Sequence, residues 1–350
     1  MMKKNSKFNL LLNALVIAGI IFLLIYFFEN SLQDIFNEIK ETPLKTLIMI
    51  TGLGLMYQVI EGQSISVIAA PFMKENEKFT AKDGFFMSCS IAFFRVISLG
   101  AATLVTEINF YKKKGMKISQ GIGVASLHMV LYKMAVAAYA FIGLLIQGSF
   151  LANNAPKMIP FIIIGLIMTV GVIAILLALS SSVNLQVGLL LIANRLFKNQ
   201  KLRDLVDKGN LQIYSLRETV ATVTSDKTVW VRSFFWNLLK LVFWYVVPYV
   251  VLVPDYPQLD FLQIFSFISF SVILAGVIPA PAGVGSLEFV YLLLFQPLVG
   301  TVDALSSVLL YRFASYVLPV IIGFIYFLFD RRNKMKTDIE EVRKEQAAEE

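Results

Sequence analysis

The chain has one cysteine, Cys89, and one histidine, His128. A single cysteine inside an apolar run excludes a disulfide and a thiolate metal cluster. With one histidine, histidine-based metal sites and Ser-His-Asp catalysis are also excluded. No phosphate-cradling Gly-rich loop ending in Gly-Lys-Ser/Thr and no acidic metal cluster occurs. No metal and no cofactor is therefore expected, and any energy input should come from an ion or proton gradient. Charge is scarce as well: Asp, Glu, Lys and Arg make up 16% of the residues, against roughly 25% in soluble domains.

What the chain does have is apolar length. Hydrophobic residues form 57% of the sequence, and the mean hydropathy is +0.72. These values predict an all-α polytopic membrane protein with roughly seven to eight transmembrane helices of ~20 residues. The 350 residues leave no room for a large soluble catalytic domain as well. The net charge of +7 belongs mostly to loops, where it reports orientation and anionic lipid rather than nucleic acid.

In order, Lys3, Lys4 and Lys7 precede an apolar run from Phe8 to Phe28 that lacks a cleavage site. This reads as a retained first span with a cytoplasmic N-terminus. A second span covers about Leu44 to Ala70 and contains Glu61. Residues 85–105 are apolar, yet Lys112, Lys113, Lys114 and Lys117 follow at once, and basic clusters favour the cytoplasm. Two readings are open: a re-entrant hairpin with Gly100-Ala101-Ala102 at its tip, between Arg95 and Glu107, or one ordinary span with a basic outside loop. Spans at about Val124–Ile146, Phe161–Leu179 and Val229–Val253 follow. Between the last two, residues 183–228 read as an amphipathic inner-leaflet segment or a structural tether. Phe261–Ile278, Ser286–Leu298 and a final span from Ala304 to Phe329 complete the membrane domain, residues 1–330. Arg331, Arg332, Lys334 and Lys336 hold its end in the cytoplasm, and 331–350 form a charged tail, solvated helix or disordered.

The stretch Pro279-Ala280-Pro281-Ala282-Gly283-Val284-Gly285-Ser286-Leu287-Glu288 lies between two apolar runs. Pro279 and Pro281 break a helix, Gly283 and Gly285 allow unusual backbone angles, and Ser286 is a suitable N-cap for a new helix. Broken backbone at membrane depth is tolerated where it is buried in protein or lines a wet cavity. A helix starting there turns its N–H groups toward an anionic group. The bland alternative is a surface loop between two spans. Segments 85–105 and 261–299 enter from opposite sides in this topology, the arrangement an inverted repeat produces.

Arg95, Lys133, Lys240, Glu288 and Arg312 fall within apolar runs, as does Glu61. Each costs about 2.5–3.5 kcal/mol near the bilayer centre. They are expected to share one polar cavity and to offset one another, for instance Arg312 with Glu288. Arg95, Glu107, Gly283, Gly285, Glu288 and Arg312 are the candidates for a headgroup path. Glu61, Lys133 and Lys240 are secondary, Pro279 and Pro281 are the hinge, and no residue is expected to be catalytic. Taken singly, each charge could instead be a helix–helix salt bridge or a snorkelling side chain. His128 reads as an ordinary interhelical hydrogen-bonding residue.

The Pro279–Glu288 stretch and the following Phe289–Phe295 resemble the Pro-x-Pro-Gly-Gly-x-Gly-x-x-Glu signature of the lysylphosphatidylglycerol synthase transmembrane, or flippase-like, family. Leu310-Tyr311-Arg312 with Tyr316, Pro319 and Gly323 is similar to its last-helix pattern, and Arg95 to Lys133 to its first block. Ala282 stands where the family has a glycine, and Gly100-Ala101-Ala102-Thr103 replaces its Gly-Gly-Gln-Pro-like turn.

The resemblance implies a lipid translocase of the cytoplasmic membrane with both termini in the cytoplasm. Its substrate would be an anionic or aminoacylated phospholipid or a polyprenyl-phosphate lipid. A homodimer and a separate lipid-modifying enzyme are the implied partners, with no nucleic acid. Nothing of domain size follows Phe329, so a fused lysyltransferase domain is not expected. Phosphatidylglycerol lysyltransferase activity, with a link to resistance against cationic antimicrobial peptides, is the enzymatic alternative. A transporter for a small soluble anion and a membrane scaffold are the others.

Overall fold

The computed structural model describes residues 33–74, 77–196, 199–278 and 285–349. The expected first span and the residues Pro279, Pro281 and Gly283 lie outside them. The described residues are helical, without a strand. The elements are α1 (33–41), α2 (Leu44–Ala69), α3 (Ala81–Ile97), α4 (Thr103–Lys113), α5 (Ile118–Asn154), α6 (Met158–Ser181), α7 (Val183–Leu196), α8 (Gln200–Ser225), α9 (Lys227–Tyr245), α10 (Val247–Leu252), α11 (Phe261–Ala275), α12 (Ser286–Arg312) and α13 (Leu318–Glu349). Among the described residues, five stretches are long and apolar enough to cross a membrane: Leu44–Phe72, Ile118–Asn153, Met158–Ser180, Lys227–Leu252 and Ser286–Asn333. Their outward side chains are apolar, as lipid requires; Leu145 and Ile167 are 70% and 65% exposed. This is an all-α polytopic membrane protein.

Two helical hairpins organise the interior. Helix α3 opens with a capping box, in which Asp83 N–H donates to Thr80 Oγ1 and the Thr80 N–H and hydroxyl donate to Asp83 Oδ2. The helix ends where Gly100 N–H closes onto the Arg95 carbonyl at 2.8 Å, with Leu99 at φ 51° and Gly100 at φ 94°. The chain then returns as α4, and a Lys114–Asp83 ion pair of 2.9 Å ties the two feet together. The arms have 17 and 11 residues, about 25 and 16 Å, short of a hydrocarbon core of ~30 Å. Segment 85–105 therefore dips in and turns back rather than crossing.

The second hairpin pairs α11 with the start of α12. Phe267 and Phe295 meet with ring centroids 6.0 Å apart, which sets the two arms side by side. Tyr256 hydroxyl donates to the Val299 carbonyl at 2.8 Å, which ties the far ends. Helix α12 is itself broken at Gly300, where φ 80° and ψ 173° are not helical. Glu288 and Arg312, 24 positions apart, would be separated by about 36 Å along a straight helix. They touch at 2.7 Å, so the chain doubles back at Gly300, and a buried Tyr291–Ser307 hydrogen bond of 2.7 Å repeats the evidence. Gly300 is the non-helical residue at this reversal, and residues 301–303 are already helical.

The hairpins enter from opposite ends. The first is anchored through Lys113 to Asp330, the second through Tyr256 to Asp303. Asp303 and Asp330 lie 27 positions apart on the last helical leg, about 40 Å of helix. The apolar interior is split in the same sense. One core holds Ile50 and Tyr57 of α2, Ala135 to Ala140 of α5, and the buried faces of α11 and α12. The other holds Ile65 and Ile68 of α2, Val124 to Leu131 of α5, Tyr111 of α4, and Leu216 and Val223 of α8. Glu61 of α2 and Tyr132 and Lys133 of α5 fall between them in sequence, at the level where the hairpin tips arrive.

Residues 183–228, expected to be an amphipathic segment, contain α7 and α8. Helix α8 packs along α5, where a side chain on Gly123 would collide with Thr219 and the Ser215 carbonyl. Helix α7 keeps an apolar face exposed, with Leu191 at 66%. Helix α13 continues into the charged tail as far as Glu349.

Candidate functional site

The hairpin tips meet at a cavity of about 300 Å³. Arg95, in the last turn of α3, reaches it from the first hairpin. Ala275, Gly276, Ser286 and Leu287 reach it from the second. Lys133 of α5 and Arg312 of α12 complete its cationic side, and Tyr132, Tyr311, Ser315 and Tyr316 supply hydroxyls. Val136, Val272 and Ile273 make an apolar wall.

The three cations are not equivalent. Arg312 is held by Glu288 through two parallel bonds, Nε to Oε1 at 2.7 Å and Nη2 to Oε2 at 2.8 Å. This is the fork geometry that makes arginine–carboxylate pairs strong. The same Oε2 also accepts the Gly285 N–H at 2.9 Å, so one carboxylate ties the start of α12 to its returning leg. Arg95 and Lys133 form no ion pair among the described residues. Lys133 Nζ lies against the Gly276 backbone at the tip of the second hairpin.

Behind the aromatic wall is a second polar cluster. Lys240, with no solvent exposure, places Nζ 2.5 Å from Glu61 Oε2 and 3.2 Å from His128 Nε2. His128 Nε2 lies 3.3 Å from the same carboxylate oxygen. The ammonium also faces the Tyr132 ring at 5.0 Å, and Tyr57 stacks on Trp244 at 3.4 Å. Tyr132 and Trp244 line the cavity on their other side.

The sequence matches the family described as Lysylphosphatidylglycerol synthase TM region over residues 10–323. The chain belongs to that family. No individually curated protein matches it. All residues that line the cavity, from Arg95 to Tyr316, lie within the matched segment.

The expected single cavity is in fact two clusters. Arg95, Lys133 and Arg312 line the open one, with Glu288 behind Arg312; Glu61 and Lys240 pair with His128 in the closed one. The division has a simple cause, because α2 and α9 pack directly on each other and bring Glu61 and Lys240 within bonding distance. Glu107 does not line the cavity: it accepts a hydrogen bond from Tyr111 one turn along α4, at 3.1 Å. Ser286 is not the N-cap. Gly285 takes that position with φ 89°, open to glycine at little cost, and Ser286 becomes a buried first residue of the helix facing the cavity. Pro279, Pro281 and Gly283 lie outside the described residues. Sequence reasoning missed the tyrosines, while His128 makes the interhelical hydrogen bonds expected of it, with Glu61 and Lys240.

Proposed function

We propose that this protein moves phosphate-bearing membrane lipids between the leaflets of the cytoplasmic membrane, with both termini on the cytoplasmic side. The observation that carries the reading is the meeting of two opposed hairpins at one cation-lined cavity. A path made this way has a polar middle and two half-depth arms, each able to open toward one side. The volume of about 300 Å³ is at the low end of ligand sites at ~300–1,000 Å³, which fits a headgroup with its acyl chains left in lipid.

The Glu288–Arg312 pair supplies the exchange step. A phosphate arriving at Arg312 offers the same two-oxygen geometry as the Glu288 carboxylate and can replace it. Glu288 then keeps only the Gly285 N–H, and the returning leg of α12 is no longer tied to the hairpin tip. Arg95 and Lys133 receive the charge during passage. The buried Glu61–His128–Lys240 cluster holds α2, α5 and α9 together behind the site.

Reconstitution into vesicles with a fluorescent phosphatidylglycerol tests this, by following loss of the label to an external quencher. Exchange accelerated by the protein and lost in Arg312→Ala supports the reading; equal exchange with and without protein overturns it. The family description favours one second reading, service in lysylphosphatidylglycerol synthesis alongside a separate lipid-modifying enzyme. Lysine transfer to phosphatidylglycerol by the purified chain with charged tRNA would establish that instead.

A further inference from the structure

We infer that the cavity selects lipids of net negative headgroup charge and rejects aminoacylated ones, with Arg95 and Lys133 as the residues that set the preference. The inference rests on the reading of this cavity as a headgroup site and names what that site takes. Three cations face the cavity, Arg95, Lys133 and Arg312, and Glu288, paired with Arg312 from behind, cancels one of them. Glu107 of α4, bonded to Tyr111, stands outside the lining but within electrostatic reach of Arg95, so the lining carries a surplus of two positive charges and its surroundings, Glu107 counted, a surplus of one. Segment 279–284, Pro-Ala-Pro-Ala-Gly-Val, is uncharged and does not alter the sum. The nearby cluster does not alter it either, because Glu61 is matched by Lys240 within 2.5 Å.

Phosphatidylglycerol and polyprenyl phosphates bring a phosphate with nothing to cancel it. A lysylated phosphatidylglycerol brings one phosphate and two ammonium groups, so it enters as a net cation. Near the middle of the membrane, charges are screened far less than in water, so like-charge repulsion there discriminates strongly. A site built for the aminoacylated lipid would need free carboxylates for the two ammoniums. Among the described residues the cavity lining holds no carboxylate, and Glu288 stands behind Arg312, bonded to it and to Gly285. The preference runs opposite to the lipid in the family's description.

The test measures equilibrium binding to the full-length protein in micelles, with the same fluorescent acyl chain on phosphatidylglycerol and on its lysyl derivative. The water-soluble headgroup glycerophosphoglycerol serves as a competitor. The unmodified lipid should bind at least about tenfold more tightly. The Arg95→Gln/Lys133→Gln variant should bring the two lipids near parity, while the charge-keeping Arg95→Lys/Lys133→Arg variant retains the preference. Equal or tighter binding of the lysyl lipid by the native protein overturns the inference. The same probes in vesicles separate it from the transport reading. Selective binding without transbilayer exchange supports the charge rule and removes the translocase. If the soluble headgroup binds as tightly as the lipid, the charge rule stands and the substrate is a soluble phosphate ester.

Discussion

Lys240 is completely buried, and its ammonium lies 2.5 Å from Glu61 Oε2, between helices α2 and α9. Removing one partner of such a pair leaves a charge in a medium that cannot solvate it. Lys240→Met should therefore destabilise the protein by about 3–5 kcal/mol, whereas Lys240→Met with Glu61→Gln should recover much of the loss. Denaturant unfolding in detergent, read on all three proteins, checks this. Losses that simply add would mean that the two side chains act independently despite their contact.

The first hairpin owes its position to glycines. A Cβ on Gly84 would sit 2.5 Å from the Gly62 carbonyl oxygen and 2.7 Å from its Cα, and one on Gly323 would collide with the Cys89 carbonyl. Helix α3 is thus pressed backbone to backbone between α2 and α13, the packing that small residues permit in membranes. Gly84→Val or Gly323→Val should displace α3, withdraw Arg95 from the cavity and abolish lipid exchange. Gly148→Ala, where nothing lies within 4 Å of the new methyl, should leave exchange intact and raise helix stability by up to about 1 kcal/mol. Exchange and thermal midpoints of the three variants decide the matter.

Much of this architecture was legible from residue types and their order. The lysines at 112–114 argued against a full span at 85–105, and the cluster is where the chain returns to Asp83 and Asp330. The intramembrane charges marked the polar layer but not its division. Which cation meets which carboxylate depends on how helices far apart in sequence pack, and Glu61 and Lys240 are 179 positions apart. The N-cap was misread for a local reason. Serine is the better capping side chain, but the backbone angle at that position suits only glycine, and Gly285 stands one residue earlier. Glu107 stays outside the cavity lining because proximity to the tip in sequence says nothing of which way α4 faces, and its carboxylate meets Tyr111.

The foot of the first hairpin should respond to acid. Burial raises the Asp83 pKa, but the Thr80 backbone and hydroxyl bonds and the Lys114 ammonium outweigh that and hold it below its ordinary 3.8. A carboxyl lowered on folding adds stability above its unfolded value and loses it as pH falls through the folded one. Stability at this foot should therefore decline only in the acid range, below about pH 4, by no more than about 1 kcal/mol because the pair is largely solvated. Asp83→Asn should remove that part of the pH dependence. An unchanged acid profile of the unfolding midpoint in this variant would count against the assignment.

The pair at the start of α12 makes opposite demands on binding and on rate. If phosphate displaces the Glu288 carboxylate from Arg312, Glu288 is a competitor as well as a clasp. Glu288→Gln keeps an oxygen for the Gly285 N–H but surrenders the negative charge, so the phosphate no longer competes with a carboxylate for Arg312. Anionic lipid should then bind more tightly, by about tenfold for ~1.4 kcal/mol of relieved competition. It should also leave more slowly, so transbilayer exchange falls while binding improves. Arg312→Lys keeps the charge but not the fork, and should weaken binding and exchange together. Affinity in micelles and exchange in vesicles, measured on the same preparations, separate the cases. Weaker binding in Glu288→Gln would mean that the carboxylate shapes the site for the phosphate instead of holding its place.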